Sequence, residues 1–237
     1  MIVLLPGGEV AAEQLLQLGH DEAHHLRVRR AEPGQHVTLR DGAGLTGEAV
    51  LLESTPKHAL IRLVEVGRVP EPAPLELLVA AGDKERFGWL VEKAAELGVT
   101  RVVPLETERS GAVATRLRES HLDRLRRQAR EALKQCGAAW APEIAAPIGL
   151  DGLAAVAVAG ELWLGDRAGE PPPSRLDGGP VTVVIGPEGG LTIVEREAVL
   201  AARASPVVLG PHTLRFETAA LAAAAAVAAA RLRGTHG

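Results

Sequence analysis

Gly186, Gly189 and Gly190, with Pro187 and Glu188 among them, follow a β-branched run in "VVIGPEGGLTIVERE" (residues 183 to 197) and precede a helix-like pattern. A glycine-rich turn between a strand and a helix is the form of a phosphate loop. The Walker kind, however, closes on Gly-Lys-Ser/Thr, and here Gly189, Gly190 and Leu191 stand in those places. No G-x-G-x-x-G spacing is present, and Glu188 would repel a pyrophosphate where backbone N–H groups should attract it. The turn suits a ligand without phosphates. Two further strand-like runs end in glycine, at Gly165 and Gly210, where the missing Cβ lets the backbone approach a flat or bulky ligand closely. Their neighbours Leu164, Ile185, Leu191, Leu209 and Leu214 are apolar, a lining that fits an adenine ring held by backbone groups. Arg215 and Glu217 flank Phe216 where the next helix begins. A first-turn carboxylate is also favoured by the helix dipole, so Glu217 has a structural explanation beside any chemical one.

Other residues narrow the field by exclusion. His24 and His25 point to different sides of any regular element and have no third ligand at suitable spacing, so no metal is expected. Cys136 is the single cysteine, which excludes an internal disulfide and a Cys-based zinc cluster. The net charge of −4 carries no global sign of nucleic-acid binding. Residues 116 to 134 reverse that sign locally. Arg116, Arg118, Arg124, Arg126, Arg127, Arg130 and Lys134 stand against Glu119, Asp123 and Glu131, a net of 7 − 3 = +4, as expected of a phosphate-contacting face. Arg27, Arg29, Arg30 and Arg40 add positive charge near the N-terminus, and Lys84 and Arg86 before the next helix. With no Tyr and only two Phe, base stacking contributes little, and backbone and shape should dominate RNA recognition. Core packing is the expected role of Trp140 and Phe216. No charged-then-apolar signal segment opens the chain, and the Ala-rich run 219 to 230 is too short to span a bilayer, so a soluble cytoplasmic protein is expected.

The elements that must position these groups divide near residue 70. "HVTLRD", "GEAVLLEST" and "HALIRLVEV" (within residues 36 to 66) read as strands of a small antiparallel module, a barrel by expectation. "GRVPEPAP" follows, with three prolines in eight positions, and reads as a linker. Thereafter strands and helices alternate. Strand-like "LELLVAAG", "VTRVVPL", "ELWLG", "VTVVIG" and "SPVVLG" are interleaved with helical spacing over 85 to 98, 117 to 135, 192 to 203 and 217 to 233. Such alternation implies an α/β fold with a mostly parallel sheet covered on both faces, its ligands beyond the carboxyl ends of the strands. The expected domains are 1–68, a linker at 69–74, and 75–237.

"IGPEGGLT" with Glu195, followed by "LGPHTLRFETAAL" (209 to 221), resembles the paired C-terminal motifs of the RsmE family, the 16S rRNA uracil-N3 methyltransferases of the SPOUT superfamily. "WLVEKAAELGV" (89 to 99), "VVPLETERS" (102 to 110), "QCG" (135 to 137) and "PEI" (142 to 144) match in order, and "HHLRVRRAEPGQHVTLRDGAG" is similar to the family's PUA-like barrel. The resemblance implies a SPOUT-type sheet with a C-terminal trefoil knot, about 160–237, a homodimer, and S-adenosylmethionine as cofactor. By motif position the cofactor loops are Leu164 and Gly165; Ile185, Gly186, Pro187, Glu188, Gly189 and Gly190; and Leu209, Gly210, Leu214, Arg215 and Thr218. The partner implied is 16S rRNA or the assembled small ribosomal subunit. For methyl transfer to uracil N3, Arg215 is the candidate stabiliser of negative charge, and Glu217 or Glu188 the candidate proton acceptor. Candidate RNA contacts are Arg27, Arg29, Arg30, Lys84, Arg86, Arg126, Arg127 and Arg130. The chain departs from the family pattern at His212, where Arg is common, and at Ala138, Ala139 and Trp140, in place of an Arg-rich stretch. A different RNA target and a non-catalytic RNA-binding role are the alternatives.

Overall fold

The computed structural model describes every residue except 81, 111–116, 118, 154–159 and 235–237. Two compact units emerge, Met1–Glu71 with Arg130–Ala141, and Pro72–Ala129 with Pro142–Gly237.

In the first unit β1 (Ile2–Leu4), β2 (Leu15–Leu18), β3 (His36–Arg40), β4 (Leu45–Ser54) and β5 (Ala59–Arg68) form one sheet in the order β1-β3-β4-β5-β2. β1 runs parallel to β3, and the other neighbours are antiparallel. Alternate residues such as Val37, Leu39, Ile61 and Leu63 fill its core with Leu26 of α1 (His20–Val28). Sequence pattern identifies β3 to β5 but not β1, β2 or α1. β1 has three residues, and α1 buries only Ala23 and Leu26, too few to show a helical stripe.

The segment after residue 130 joins this unit through backbone and side-chain bonds. Arg130 Nη2 donates to the Leu5 carbonyl at 2.8 Å, and Arg40 Nε to the Gly137 carbonyl at 3.0 Å. The Trp140 indole N–H donates to the carbonyls of Val69 and Pro70 at 3.2 and 3.1 Å. Its ring covers Gly44, where a Cβ would lie 2.6 Å from it and φ is +93°. Trp140 is half-buried over Gly44 and is not among the core residues, where its sequence context suggests it would lie.

The second unit contains β6 (Leu75–Ala80), α2 (Lys84–Glu96), β7 (Arg101–Glu106), the start of α3 (Glu119–Cys136), β8 (Glu143–Ile144), β9 (Ile148–Gly149), β10 (Glu161–Glu170), β11 (Val181–Ile185), α4 (Ile193–Ala201), β12 (Ser205–Val207) and α5 (Phe216–Gly234). The strand order is β12-β10-β11-β6-β7-β8 with β9 also beside β7, and every pairing is parallel. All six residues of β6 are buried, as a strand covered on both faces requires. Leu75, Leu77 and Val79 pack toward Phe87, Leu90 and Val91 of α2 and Ala220, Ala223 and Val227 of α5; Leu78 and Ala80 pack with Val103, Val184 and Val199.

The local chemistry of the helix starts matches their positions. Asp83 caps α2, its carboxylate accepting from the amides of Glu85 and Arg86 at 3.0 and 2.9 Å. Thr192 and Glu195 form a capping box on α4. At the far end of α5, Arg231 donates to the carbonyls of Ala73, Pro74 and Gly179 at 2.9, 2.7 and 2.8 Å. The Leu176 amide donates to the Ala230 carbonyl at 3.2 Å. The strand expected at "ELWLG" continues to Glu170, with a register shift against β12 between Gly165 and Glu170. Arg116 and Arg118 of the basic run lie outside the described residues.

Candidate active site

β12, β10 and β11 are adjacent and parallel, so their carboxyl ends open on one edge of the sheet. The loops that leave them, with the start of α5, enclose a cavity of ≈ 360 Å³, a size typical of small-molecule sites. Leu164, Gly165, Ile185, Gly186, Pro187, Glu188, Gly190, Leu209, Gly210 and Leu214 line it. Sequence reasoning anticipates all ten, because each belongs to a strand end followed by a glycine turn.

Side chains of the cavity wall pack closely against these glycines. A Cβ on Gly165 would lie 2.8 Å from Ile185 Cδ1 and 3.3 Å from Leu209 Cδ1. On Gly186 it would lie 3.2 Å from Leu191 Cγ, and on Gly210 3.3 Å from Leu214 Cδ1. Ile185, Leu191, Leu209 and Leu214 all line the cavity, so a side chain at these glycines would press its walls inward. The glycine and aliphatic part of this lining fits the adenosine of S-adenosylmethionine.

Three expected cofactor residues are not part of the lining. Gly189 faces outward and its carbonyl accepts from Arg109 Nη1. Arg215 is exposed, and its carbonyl receives the Ala219 amide at 2.9 Å, so its backbone starts α5. Thr218 is exposed within the first turn of α5. The two candidate carboxylates differ in setting. Glu188 is exposed at the cavity edge beside Gly82, where a Cβ would lie 3.1 Å from Glu188 Oε2. The Glu217 side chain is only 9% exposed, with Oε1 3.9 Å from Arg86 Nε and Oε2 lacking a hydrogen bond among the described residues. Phe216 lines the cavity and stacks with Phe87 at 6.4 Å between centroids.

Sequence reasoning misses Asp166, Arg167, Arg196, Val208 and Ala219, all of which line the cavity with Thr213 of the expected third loop. Arg196 Nε donates to Asp166 Oδ2 at 2.7 Å, and Arg167 Nη1 to Thr213 Oγ1 at 3.0 Å. Burial works against the Asp166 charge, but the Ala168 amide and Arg196 outweigh it and hold this carboxyl below its ordinary range. The charges immediately after Gly165 were the available signal for two of these residues.

A second layer holds the central loop. Glu195 accepts from the amides of Thr192 and Glu108 at 2.8 and 2.7 Å. Burial again opposes the charge, while these two amides, the Thr192 hydroxyl and Arg109 prevail and keep the Glu195 carboxyl low. The turn bearing Glu108 and Arg109 is closed by the buried Thr107 and Ser110 hydroxyls, 2.8 Å apart.

The candidate RNA contacts separate into two sets. Arg27, Arg29, Arg30, Lys84 and Arg127 are exposed, Lys84 lying 2.9 Å from His121 Nε2. Arg86 faces Glu217; Arg126 bonds Glu119 and, at 2.9 Å, Asp123; Arg130 bonds the Leu5 carbonyl. No group of three or more metal-ligating side chains occurs among the described residues, and no helix there is long and apolar enough to cross a membrane.

A model of the RNA methyltransferase domain matches residues 69–228, and one of the RNA methyltransferase PUA domain matches residues 18–64. The ribosomal RNA small subunit methyltransferase E of Synechocystis sp. is 32% identical over 237 residues, covering 92% of this chain and 75% of the relative. Its Mycobacterium tuberculosis counterpart is 30% identical over 219 residues, covering 88% and 84%. Among solved structures, the methyltransferase E of Neisseria gonorrhoeae, bound to S-adenosyl methionine, is similar at a TM-score of 0.83 and 26% identity over 95% of each chain. A protein from Legionella pneumophila in complex with the bound cofactor SAM is similar at 0.82 and 29% over 94% of each.

Proposed function

The chain belongs to the RsmE family of RNA methyltransferases, and from that premise we propose that it transfers a methyl group from S-adenosylmethionine to N3 of one uridine in 16S rRNA. The observation that carries this reading is the convergence of three glycine-bearing loops on one largely apolar cavity at the carboxyl edge of a parallel sheet. When bound, the cofactor supplies an electrophilic methyl group on a sulfonium. Gly165, Gly186 and Gly210 admit the adenosine close to the backbone, and Leu164, Ile185, Leu209 and Leu214 keep water from it.

Uracil N3 becomes a nucleophile only on losing its imide proton, so alignment and proton removal are the tasks left to the protein. Glu188 is our candidate for the proton acceptor, since its carboxylate stands at the cavity edge. Arg215, exposed beside the Phe216 wall, is the candidate partner for negative charge on the uracil carbonyl oxygens. Glu217 acts on the position of Arg86 rather than on the base, because one of its oxygens faces that guanidinium. Arg27, Arg29, Arg30, Lys84 and Arg127 contact RNA phosphates, while Arg126 and Arg130 serve the fold.

The same reading includes a PUA-like domain at 1–68, a linker at 69–74 and a SPOUT domain at 75–237 whose last part, about 160–237, is knotted. The ties from the last turn of α5 to Leu176 and Gly179 support a threaded C-terminus. A homodimer is supported by the half-exposed side of α5 at Leu221, Ala222 and Ala226, which lacks polar side chains. Ribosomal substrate implies a cytoplasmic enzyme. Methylation at N3 blocks the Watson–Crick edge, so reverse transcriptase should halt at the modified uridine. Small-subunit rRNA from cells lacking this protein should lose one such stop, and adding protein with S-adenosylmethionine should restore it. An unchanged stop pattern in the deletion strain would refute the N3-uridine assignment.

A further inference from the structure

Charged side chains at the mouth of the cavity have no part in the roles above. Asp166 and Arg196, joined at 2.7 Å, and Arg167 and Thr213, joined at 3.0 Å, line the same cavity as Gly165, Gly186 and Gly210. The start of α4 does not depend on Arg196, since Thr192 and Glu195 cap it. Asp166 is anchored independently, its Oδ1 accepting the Ala168 amide at 2.9 Å. Its side chain is 18% exposed against 42% for Arg196, so the carboxylate sits deeper and the guanidinium reaches toward solvent. Among the described residues Nε is the Arg196 side-chain donor with a hydrogen-bond partner, which leaves both terminal nitrogens for a ligand or water. The Asp166 carboxylate likewise keeps lone pairs beyond its two bonds.

We propose that the Asp166–Arg196 pair receives the zwitterionic amino-acid end of the cofactor, its ammonium against Asp166 and its carboxylate against Arg196. This assignment rests on the reading of the cavity as the S-adenosylmethionine site. The two ends of that molecule differ in chemistry. The adenosine is flat and uncharged, matched by glycine and leucine, whereas the amino-acid end carries adjacent opposite charges that need charged or strongly hydrogen-bonding partners when they leave water. An ion pair already formed presents both signs side by side without reorganisation on binding. Arg196 is held by Nε, so its terminal nitrogens can meet a carboxylate in a fixed plane. Arg167, fixed to Thr213 after β12, adds a second positive charge to the same mouth.

The test compares S-adenosylhomocysteine with 5′-methylthioadenosine, which keeps the nucleoside and lacks the amino-acid end, by isothermal titration. The wild-type protein should bind S-adenosylhomocysteine at least about tenfold more tightly. Asp166→Asn and Arg196→Gln should each reduce that affinity by about tenfold while leaving 5′-methylthioadenosine nearly unchanged, so that the preference collapses. Circular dichroism verifies that both variants are folded. An equal fall for both ligands would mean that the pair serves the nucleoside or the fold, and would overturn the proposal. So would unchanged binding of both ligands with a weaker, less salt-dependent RNA affinity, which would assign Arg196 to a phosphate. Failure of the wild type to bind either ligand would remove the cofactor reading itself, whereas loss of discrimination alone touches only this pair.

Discussion

Of the three loop glycines, Gly165 has the closest neighbours, since a Cβ there would lie 2.8 Å from Ile185 and 3.3 Å from Leu209. Gly165→Val should weaken S-adenosylhomocysteine binding by more than about tenfold in titration, since the added methyls displace cavity walls. Its effect on urea stability should be smaller, because the displaced groups are side-chain ends bordering open space. Arg86 and Glu217 allow a second comparison. Arg86→Ala leaves a buried carboxylate without its neighbouring cation and should lower unfolding free energy by about 1–3 kcal/mol. Glu217→Gln removes the buried charge and should be better tolerated in the same urea titration. At this scale the glycines were legible because type and spacing alone define a close backbone approach. Asp166 and Arg196 were not, since 30 residues separate two side chains that meet only when β10 and β11 lie side by side.

The clasp on the central loop belongs to the scale of elements. Thr192 and Glu195 start α4, and Glu195 also ties the turn after β7 to it through the Glu108 amide. Because the Glu195 carboxyl is held below its ordinary value, its contribution is complete above the unfolded glutamate range, about pH 4.3, and fades as pH falls through the lower folded value. Glu195→Gln should therefore lower stability by about 1–2 kcal/mol near neutral pH, with the difference from wild type shrinking toward about pH 3 in urea titrations. The parallel sheet and its helices were readable from alternating patterns over five to eighteen residues, as for β11 and α3. The two-residue strands β8 and β9 were not, being too short to show a period. In α3 composition indicated a net basic, phosphate-contacting face, but composition cannot distinguish an arginine facing solvent from one that reaches a carbonyl. Arg127→Ala should reduce the salt dependence of RNA binding, with little effect on stability. Arg130→Ala should mainly lower stability, because it leaves the Leu5 carbonyl without its donor.

For the whole molecule, light scattering should give twice the chain's mass if the Ala-rich side of α5 is a subunit interface. Leu221→Lys on that side should shift the mass toward that of one chain; an unchanged mass would exclude this surface. Domain division near residue 70 could be suspected from the prolines, whereas the grouping of Arg130–Ala141 with the N-terminal unit could not. It depends on contacts such as Arg40 with Gly137, made across 97 positions of sequence. The cavity, for its part, is defined largely by main chain and small or aliphatic residues. Such a chamber can keep its shape while most surrounding side chains drift, provided that a few glycines stay. Saturation mutagenesis should then reveal a narrow comb of intolerant positions at Gly165, Gly186 and Gly210 in a permissive surface, so that selection over long divergence would register as punctuation rather than as a continuous conserved block.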